Sequence, residues 1–215
     1  SNVTNVQDNL DTSSERHLRG KYAICGIGET TYRRGSDQTT RSLGTTAVGN
    51  AMKDAGMSAG DIDGMLSYSM NDSTFAPHIA TDLGIRLNFY TDIYGGGSST
   101  ECLVGIAIGV IEAGMCNTVA IYRAMNGYSQ VRIGGTGARS AEPIIGDQIH
   151  HRAYGWQSAG QMFAPSFMRH MYDYGTRPEQ VAAVKVAHSK HASNNPKAFY
   201  KKRVTVDDVL NSRMI

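Results

Sequence analysis

The chain has only three cysteines in 215 residues, Cys25, Cys102 and Cys116. An odd, sparse set without CxxC spacing excludes a disulfide framework and a cysteine-type zinc site, and it points to a reducing cytoplasm. Long apolar runs are missing too. No stretch reaches the roughly 20 residues that cross a bilayer, so no membrane span is expected. Charge of one sign is not in excess: 21 basic residues face 19 acidic ones, a net of +2. That balance gives no electrostatic ground for a nucleic-acid partner, and none is expected. Nucleotide-loop signatures are absent. In Gly26-Ile-Gly-Glu-Thr-Thr the third glycine place of GxGxxG is held by Thr31, and no GKS/T follows. The first residues are polar and lack the apolar core of a signal peptide. Residues 1–20 are expected to be a disordered, tag-like N-terminus. No internal repeat or low-complexity segment is present.

What is present alternates strand and helix patterns. Tyr22-Ala-Ile-Cys-Gly-Ile-Gly reads as a buried strand ending in glycines. From Thr39 to Ala55, Leu43, Ala47, Val48, Ala51, Met52 and Ala55 fall on one helical face, and Gly56 stops the helix. Asp61 to Ser69 reads as a second strand, Phe75 to Leu83 as a short helix, and Phe89 to Tyr94 as a third strand. Gly95, Gly96 and Gly97 then lead into Ser98-Ser99-Thr100-Glu101, hydroxyl residues suited to capping a helix start. The following helix, to about Gly114, has almost no polar face, so it is expected to be buried on all sides. Thr118 to Tyr122 reads as a fourth strand. The alternation implies an α/β fold with a mainly parallel sheet. From Gly127 to about Ile149 the chain reads as a long loop. Residues 156–191 read as two helices broken near Gly175, with Pro178 suited to the first turn of the second. Val204 to Leu210 reads as a short helix entry.

Several residues carry two readings. The three glycines are either a flexible turn or a side-chain-free floor where backbone N–H groups meet a bulky substrate. Tyr94, just before them, is core packing or a proton donor. Asp147, His150, His151, Tyr154 and Trp156 form the richest polar and aromatic cluster. They are structural or line a substrate channel, and no third ligand stands at metal-site spacing beside the histidine pair. His188 and His191 share a helical face, and a solvated face suits them better than a metal. Lys197, Lys201, Lys202 and Arg203 form a solvated surface or a contact for nucleotide phosphates. Met162, Phe163, Phe167 and Met168 form an apolar stripe, either core or the wall of a cavity for a bulky ligand.

Together these segments resemble the thiolase superfamily, in its sterol-carrier and lipid-transfer branch. The resemblance is carried by Ala23-Ile-Cys-Gly-Ile-Gly-Glu-Thr, Ala51-Met-Lys-Asp-Ala-Gly, Asp61-Ile-Asp-Gly and the apolar helix ending Ile111-Glu-Ala-Gly. Met171-Tyr-Asp-Tyr-Gly-Thr and His188-Ser-Lys-His-Ala-Ser-Asn-Asn-Pro are its most specific matches. It covers about residues 22–215 and corresponds to the N-terminal half of the family fold. It implies residues 21–126 as that half, with a buried central helix, and residues 127–215 as a helical loop region covering an acyl-CoA site.

The family places a nucleophilic cysteine at the start of the buried helix. Counting back from Ile111-Glu-Ala-Gly puts Gly97 there, and Cys102 falls five residues later. A thiolate needs the helix N-terminus to lower its pKa, so Cys102 is expected to be a packing residue. The departure is similar to thiolase-like aldolases that cleave steroid side chains. The resemblance therefore implies retro-aldol cleavage of a β-hydroxyacyl-CoA with a steroid or other lipid acyl group. It also implies coenzyme A as part of the substrate with no tightly bound cofactor, a homodimer, and an OB-fold partner protein. Tyr94, Gly97 and Ser98 are the catalytic candidates. Gly95, Gly96, His150, His151, Tyr154, Trp156 and Met162 are the substrate-binding ones. An ordinary acetyl-CoA acyltransferase using Cys102, or a non-catalytic lipid-binding subunit of a heteromeric complex, is the alternative.

Overall fold

The computed structural model describes residues 18–70, 72–129, 146, 148–156 and 159–213. The element order is α1 (Thr40–Ala55), β1 (Gly64–Ser69), α2 (Ala76–Leu83), β2 (Phe89–Tyr94), α3 (Ser99–Glu112), β3 (Val119–Tyr122), α4 (Gln148–Ala153), α5 (Ala159–Tyr174), α6 (Pro178–Asn194) and α7 (Val206–Leu210). A 3-10 turn at Ala59–Asp61 leads into β1. The α/β class expected from the alternating pattern is the one observed. Among the described residues no helix is long and apolar enough to cross a membrane.

Local chemistry sets the helix limits. The Thr39 hydroxyl accepts the Ser42 N–H at 3.1 Å and starts α1. Gly56 ends it at φ 67°, a left-handed geometry that costs glycine little. Pro178 opens α6 at the position where a missing N–H is harmless. At α7 the Thr205 hydroxyl accepts the Asp208 N–H at 3.1 Å, and the Thr205 N–H donates to the Asp208 carboxylate at 2.8 Å.

The sheet runs β2–β1–β3, with both pairings parallel. The central strand β1 is buried on both faces, as Met65 and Leu66 show. Met65 faces α1 and α2, packing with Val48, Ile79 and Tyr122. Leu66 faces the other way, onto Leu103 and Ala107 of α3. Helices therefore cover the two sides of the sheet unequally.

Asp63 ties the strand entrances together. Its carboxylate accepts the N–H groups of Asn117 at 2.8 Å and Thr118 at 2.9 Å, and the Asn117 side-chain amide at 3.1 Å. Burial pushes this carboxyl up, but the Thr118 and Asn117 bonds, with help from Asn88, outweigh it and hold it below the ordinary carboxylate range. A depressed carboxyl stabilises the fold above its unfolded value, near pH 4, and that contribution fades as pH falls through the folded value. Asp63→Asn is therefore expected to lower the melting temperature at neutral pH. The gap to the native chain should shrink on acidification below about pH 4, as read by thermal melts across pH.

Four expectations fail here. Tyr22 to Gly28 forms no strand. The segment is extended but pairs with no strand among the described residues, and Ile24 and Ile27 are 79% and 76% exposed. It lies instead along α1. The Ile27 N–H donates to Asp54 at 2.9 Å, and the Asn50 amide donates to the Glu29 carbonyl at 2.9 Å. Second, α3 is not buried all round. Leu103 and Ala107 are buried, whereas Val104, Gly105 and Gly109 face outward, because one sheet layer covers one side of the helix. Third, Met162, Phe163, Phe167 and Met168 are not core: they are exposed on α5, which buries none of its residues. Fourth, the loop expected up to Ile149 ends earlier, since α4 begins at Gln148. Most of that loop, residues 130–145, lies outside the described residues, as does the expected N-terminal tail up to residue 17.

Candidate functional site

Parallel strands deliver their C-terminal ends, and the helix starts that follow, to one edge of the sheet, where such folds bind ligands. Here that edge collects Ser69 and Met70 at the end of β1, Tyr94 to Ser98 at the end of β2, and Arg123 after β3. The glycine turn is fixed at its first member. The Gly95 N–H donates to the Ser69 carbonyl at 3.2 Å. A Cβ on Gly95 would lie 2.0 Å from the buried Ser99 hydroxyl, which would have to turn aside to admit it. The Ser99 N–H donates to the Gly96 carbonyl at 3.0 Å and winds the chain into α3.

Gly96 and Gly97 differ from Gly95. A Cβ on either would meet nothing within 4 Å. Local packing does not demand glycine at these positions; the space beside the helix start is left open. Gly97→Cys is accordingly expected to change stability by less than about 0.5 kcal/mol, checked by chemical denaturation.

Ser98 occupies the N-cap position with helical φ and ψ, and its side chain makes no capping bond. The hydroxyl cap expected there is not formed, because an αR N-cap turns the side chain away from the free N–H groups. The Ser98 hydroxyl faces the turn, where the Ser99 N–H is already bonded to the Gly96 carbonyl. Tyr94 ends β2 with its ring 75% exposed, so it is not a core residue. Cys102 sits in the first turn of α3 and is exposed, which corrects its reading as a packing residue. The helix shows too little of its outer face to a second layer to bury it.

Polar groups below the edge hold it together. Asp92 of β2 accepts the Ala76 N–H at 3.0 and 3.2 Å and so caps α2 from the sheet. Burial pushes the Asp92 carboxyl up, opposed by the Ala76 N–H and by His78. The Tyr122 phenol donates to the Thr74 carbonyl, and burial pushes its pKa well above the ordinary range. It is a fixed donor and not a base. Arg123 pairs with Asp72 at 2.6 Å, with side chains only 14% and 2% exposed. None of these four stood out in the sequence. The available signal was a charged or polar residue directly after an apolar strand, as in Ile121-Tyr122-Arg123.

The second candidate group lies elsewhere. His150 and His151 are on α4, and Tyr154 and Trp156 follow it across Gly155, whose φ is 78°. The Trp156 backbone N–H donates to the His151 carbonyl at 3.0 Å, and the two rings meet at a 36° tilt with centroids 5.3 Å apart. Tyr154 is almost wholly exposed and Met162 half so. Asp147 is outside the described residues. Among the described residues no hydrogen bond or ring contact joins this group to the glycine turn.

No protein-family model matches the chain. Individual proteins do. A 17-hydroxy-3-oxo-4-pregnene-20-carboxyl-CoA lyase of Mycobacterium tuberculosis is 34% identical over 203 residues, covering 92% of this chain and 52% of the relative. A steroid side-chain-cleaving aldolase of Thermomonospora curvata is also 34% identical, over 208 residues, with the same two shares covered. The solved structure of an Ltp2-ChsH2(DUF35) aldolase matches with a TM-score of 0.77 and 32% identity, over 90% of this chain and 49% of that one. An SCP2-thiolase-like protein type 1 from Mycobacterium smegmatis shares the fold, with a TM-score of 0.64 at 20% identity, over 88% of this chain and 39% of that one. The chain has a thiolase-like fold. It spans about half the length of the curated relatives it matches.

Proposed function

We propose that this thiolase-like chain is one half of a carbon–carbon lyase that cleaves a β-hydroxyacyl-CoA carrying a steroid or similarly bulky acyl group. The observation that carries the proposal is Gly97: the turn at the start of α3 has room for a thiol at this position and holds none. Retro-aldol cleavage needs none. A base takes the β-hydroxyl proton, the Cα–Cβ bond breaks, a carbonyl compound leaves, and its electrons pass to the thioester enolate. A proton returned to Cα gives the shorter acyl-CoA. Donors aimed at the enolate oxygen stabilise the charge as it forms. Backbone N–H groups of the turn and the Ser98 hydroxyl fill that role, and Tyr94 is the tyrosine of this half placed to move the proton.

In this reading Gly95 and Gly96 form the floor for the acyl group. His150, His151, Tyr154, Trp156 and Met162 bind substrate along the pantetheine path, residues 21–126 form the half-fold, and residues 127–215 cover the acyl-CoA site. Coenzyme A arrives as part of the substrate, with no tightly bound cofactor. Two copies pair through the free edge of β2, and an OB-fold protein joins them in the cytoplasm. The edge position of β2 and the match to an aldolase solved with a DUF35 partner support the assembly. The test is turnover of a β-hydroxyacyl-CoA, with the partner chains present, before and after alkylation by iodoacetamide. Unchanged release of the shorter acyl-CoA is expected. Activity abolished by alkylation of Cys102 would instead assign acyltransferase chemistry.

A further inference from the structure

We infer that Arg123 is a positioning residue for the glycine turn, acting through Asp72 and the end of β1. Arg123 follows β3, and its guanidinium lies over the Tyr68 ring at 4.6 Å. Tyr68 packs with Leu66 and Leu103, so this is the face of the sheet that carries α3. One guanidinium nitrogen donates to the Tyr68 carbonyl at 3.2 Å, and another donates to both Asp72 carboxylate oxygens at 2.7 and 2.6 Å. Asp72 in turn accepts the Met70 N–H at 3.1 Å. The residue between, Ser69, supplies the carbonyl that anchors the Gly95 N–H. Arg123 thus holds the Tyr68–Ser69 peptide directly and, through Asp72, the N–H of the Ser69–Met70 peptide whose carbonyl anchors the turn.

Stability alone accounts poorly for this arrangement. A buried ion pair gains little over apolar residues of the same shape. The Arg123 Nε hydrogen also finds no partner among the described residues, which costs desolvation without return. The planar fork of arginine is what fixes two acceptors at once, and lysine cannot reproduce it. The role rests on the turn being the reacting site, but it can be read without turnover.

A thiol placed at the turn reports its geometry. In a Gly97→Cys background, the pH profile of alkylation by iodoacetamide is measured, with peptide masses separating residue 97 from Cys25 and Cys102. A thiolate beside a helix start is stabilised only while the N–H groups stay aimed at it. Adding Arg123→Met is expected to move the profile up by about half a pH unit or more, with Arg123→Lys between. Val48→Ala, which destabilises through the opposite core, should leave the profile in place. Profiles for Arg123→Met and Val48→Ala that both overlay the Gly97→Cys parent overturn the inference. If Arg123→Met does not fold, Arg123→Lys and Asp72→Asn decide in the same way: shifted profiles support it and overlaying ones overturn it. Failure here leaves the lyase reading standing, and failure of that reading shows separately in the turnover assay.

Discussion

Leu103→Ala is expected to lower the unfolding free energy by about 3 kcal/mol, within the 2–5 kcal/mol seen for fully buried leucines. Leu103 is 1% exposed and is the largest buried side chain on the inner face of α3, packed on Leu66. The neighbouring positions on that face are small: Ser99 one turn before it and Ala107 one turn after. The larger side chains around it, Tyr68, Ile93 and Ile106 among them, relax only in part, so a cavity remains. The consequence reaches the site, because α3 carries the glycine turn at its start. Chemical denaturation gives the loss directly. A loss under about 1 kcal/mol would mean that α3 is held by something other than this contact.

Gly28→Ala is expected to cost about as much, near the 3 kcal/mol upper end for overpacking. A Cβ there would lie 2.1 Å from the Ala47 carbonyl oxygen and 2.3 Å from the Ala51 nitrogen. Both are helix backbone, which cannot rotate aside as a side chain does. The neighbouring Gly26 is as tightly placed, with 2.4 Å to the Ala51 carbonyl oxygen. The two glycines let the extended segment lie directly on α1. Unlike a cavity, this clash can be relieved by peeling the segment away. Gly28→Ala should therefore also raise the hydrogen exchange of the Ile27 N–H, now bonded to Asp54. A melt and exchange pattern equal to the native chain would show that the segment is not seated on α1.

That segment shows what sequence can and cannot convey. The helices and strands from Thr40 to Tyr122 are legible because their signals are local: a hydroxyl cap at Thr39, left-handed glycines at Gly56 and Gly84, and an apolar face of helical period. A strand is different, since it exists only if another strand offers its backbone. Tyr22 to Gly28 has the apolar composition of a strand, but among the described residues no strand pairs with it. The same reason explains α3. An apolar surface states that something should cover it, and the described residues cover one side. Helix α4 was missed because His150, His151 and Arg152 give six residues no apolar period.

The glycine turn itself was legible as a cluster, but its internal division was not. Gly95 is crowded by the Ser99 side chain, while Gly97 stands in open space. Only coordinates separate a glycine that packing requires from one that chemistry leaves bare. The clamp beneath the turn was invisible for a related reason. Asp72 and Arg123 are 51 residues apart, and no periodicity links them.

The central claim is that this thiolase-like chain works without a nucleophilic thiol. The most direct test is an intact-mass spectrum of the protein after incubation with an acyl-CoA. An unchanged mass is expected, together with cleavage of a β-hydroxyacyl-CoA once the partner chains are supplied. A mass increase of one acyl group, mapped to Cys102 or another cysteine, would contradict it.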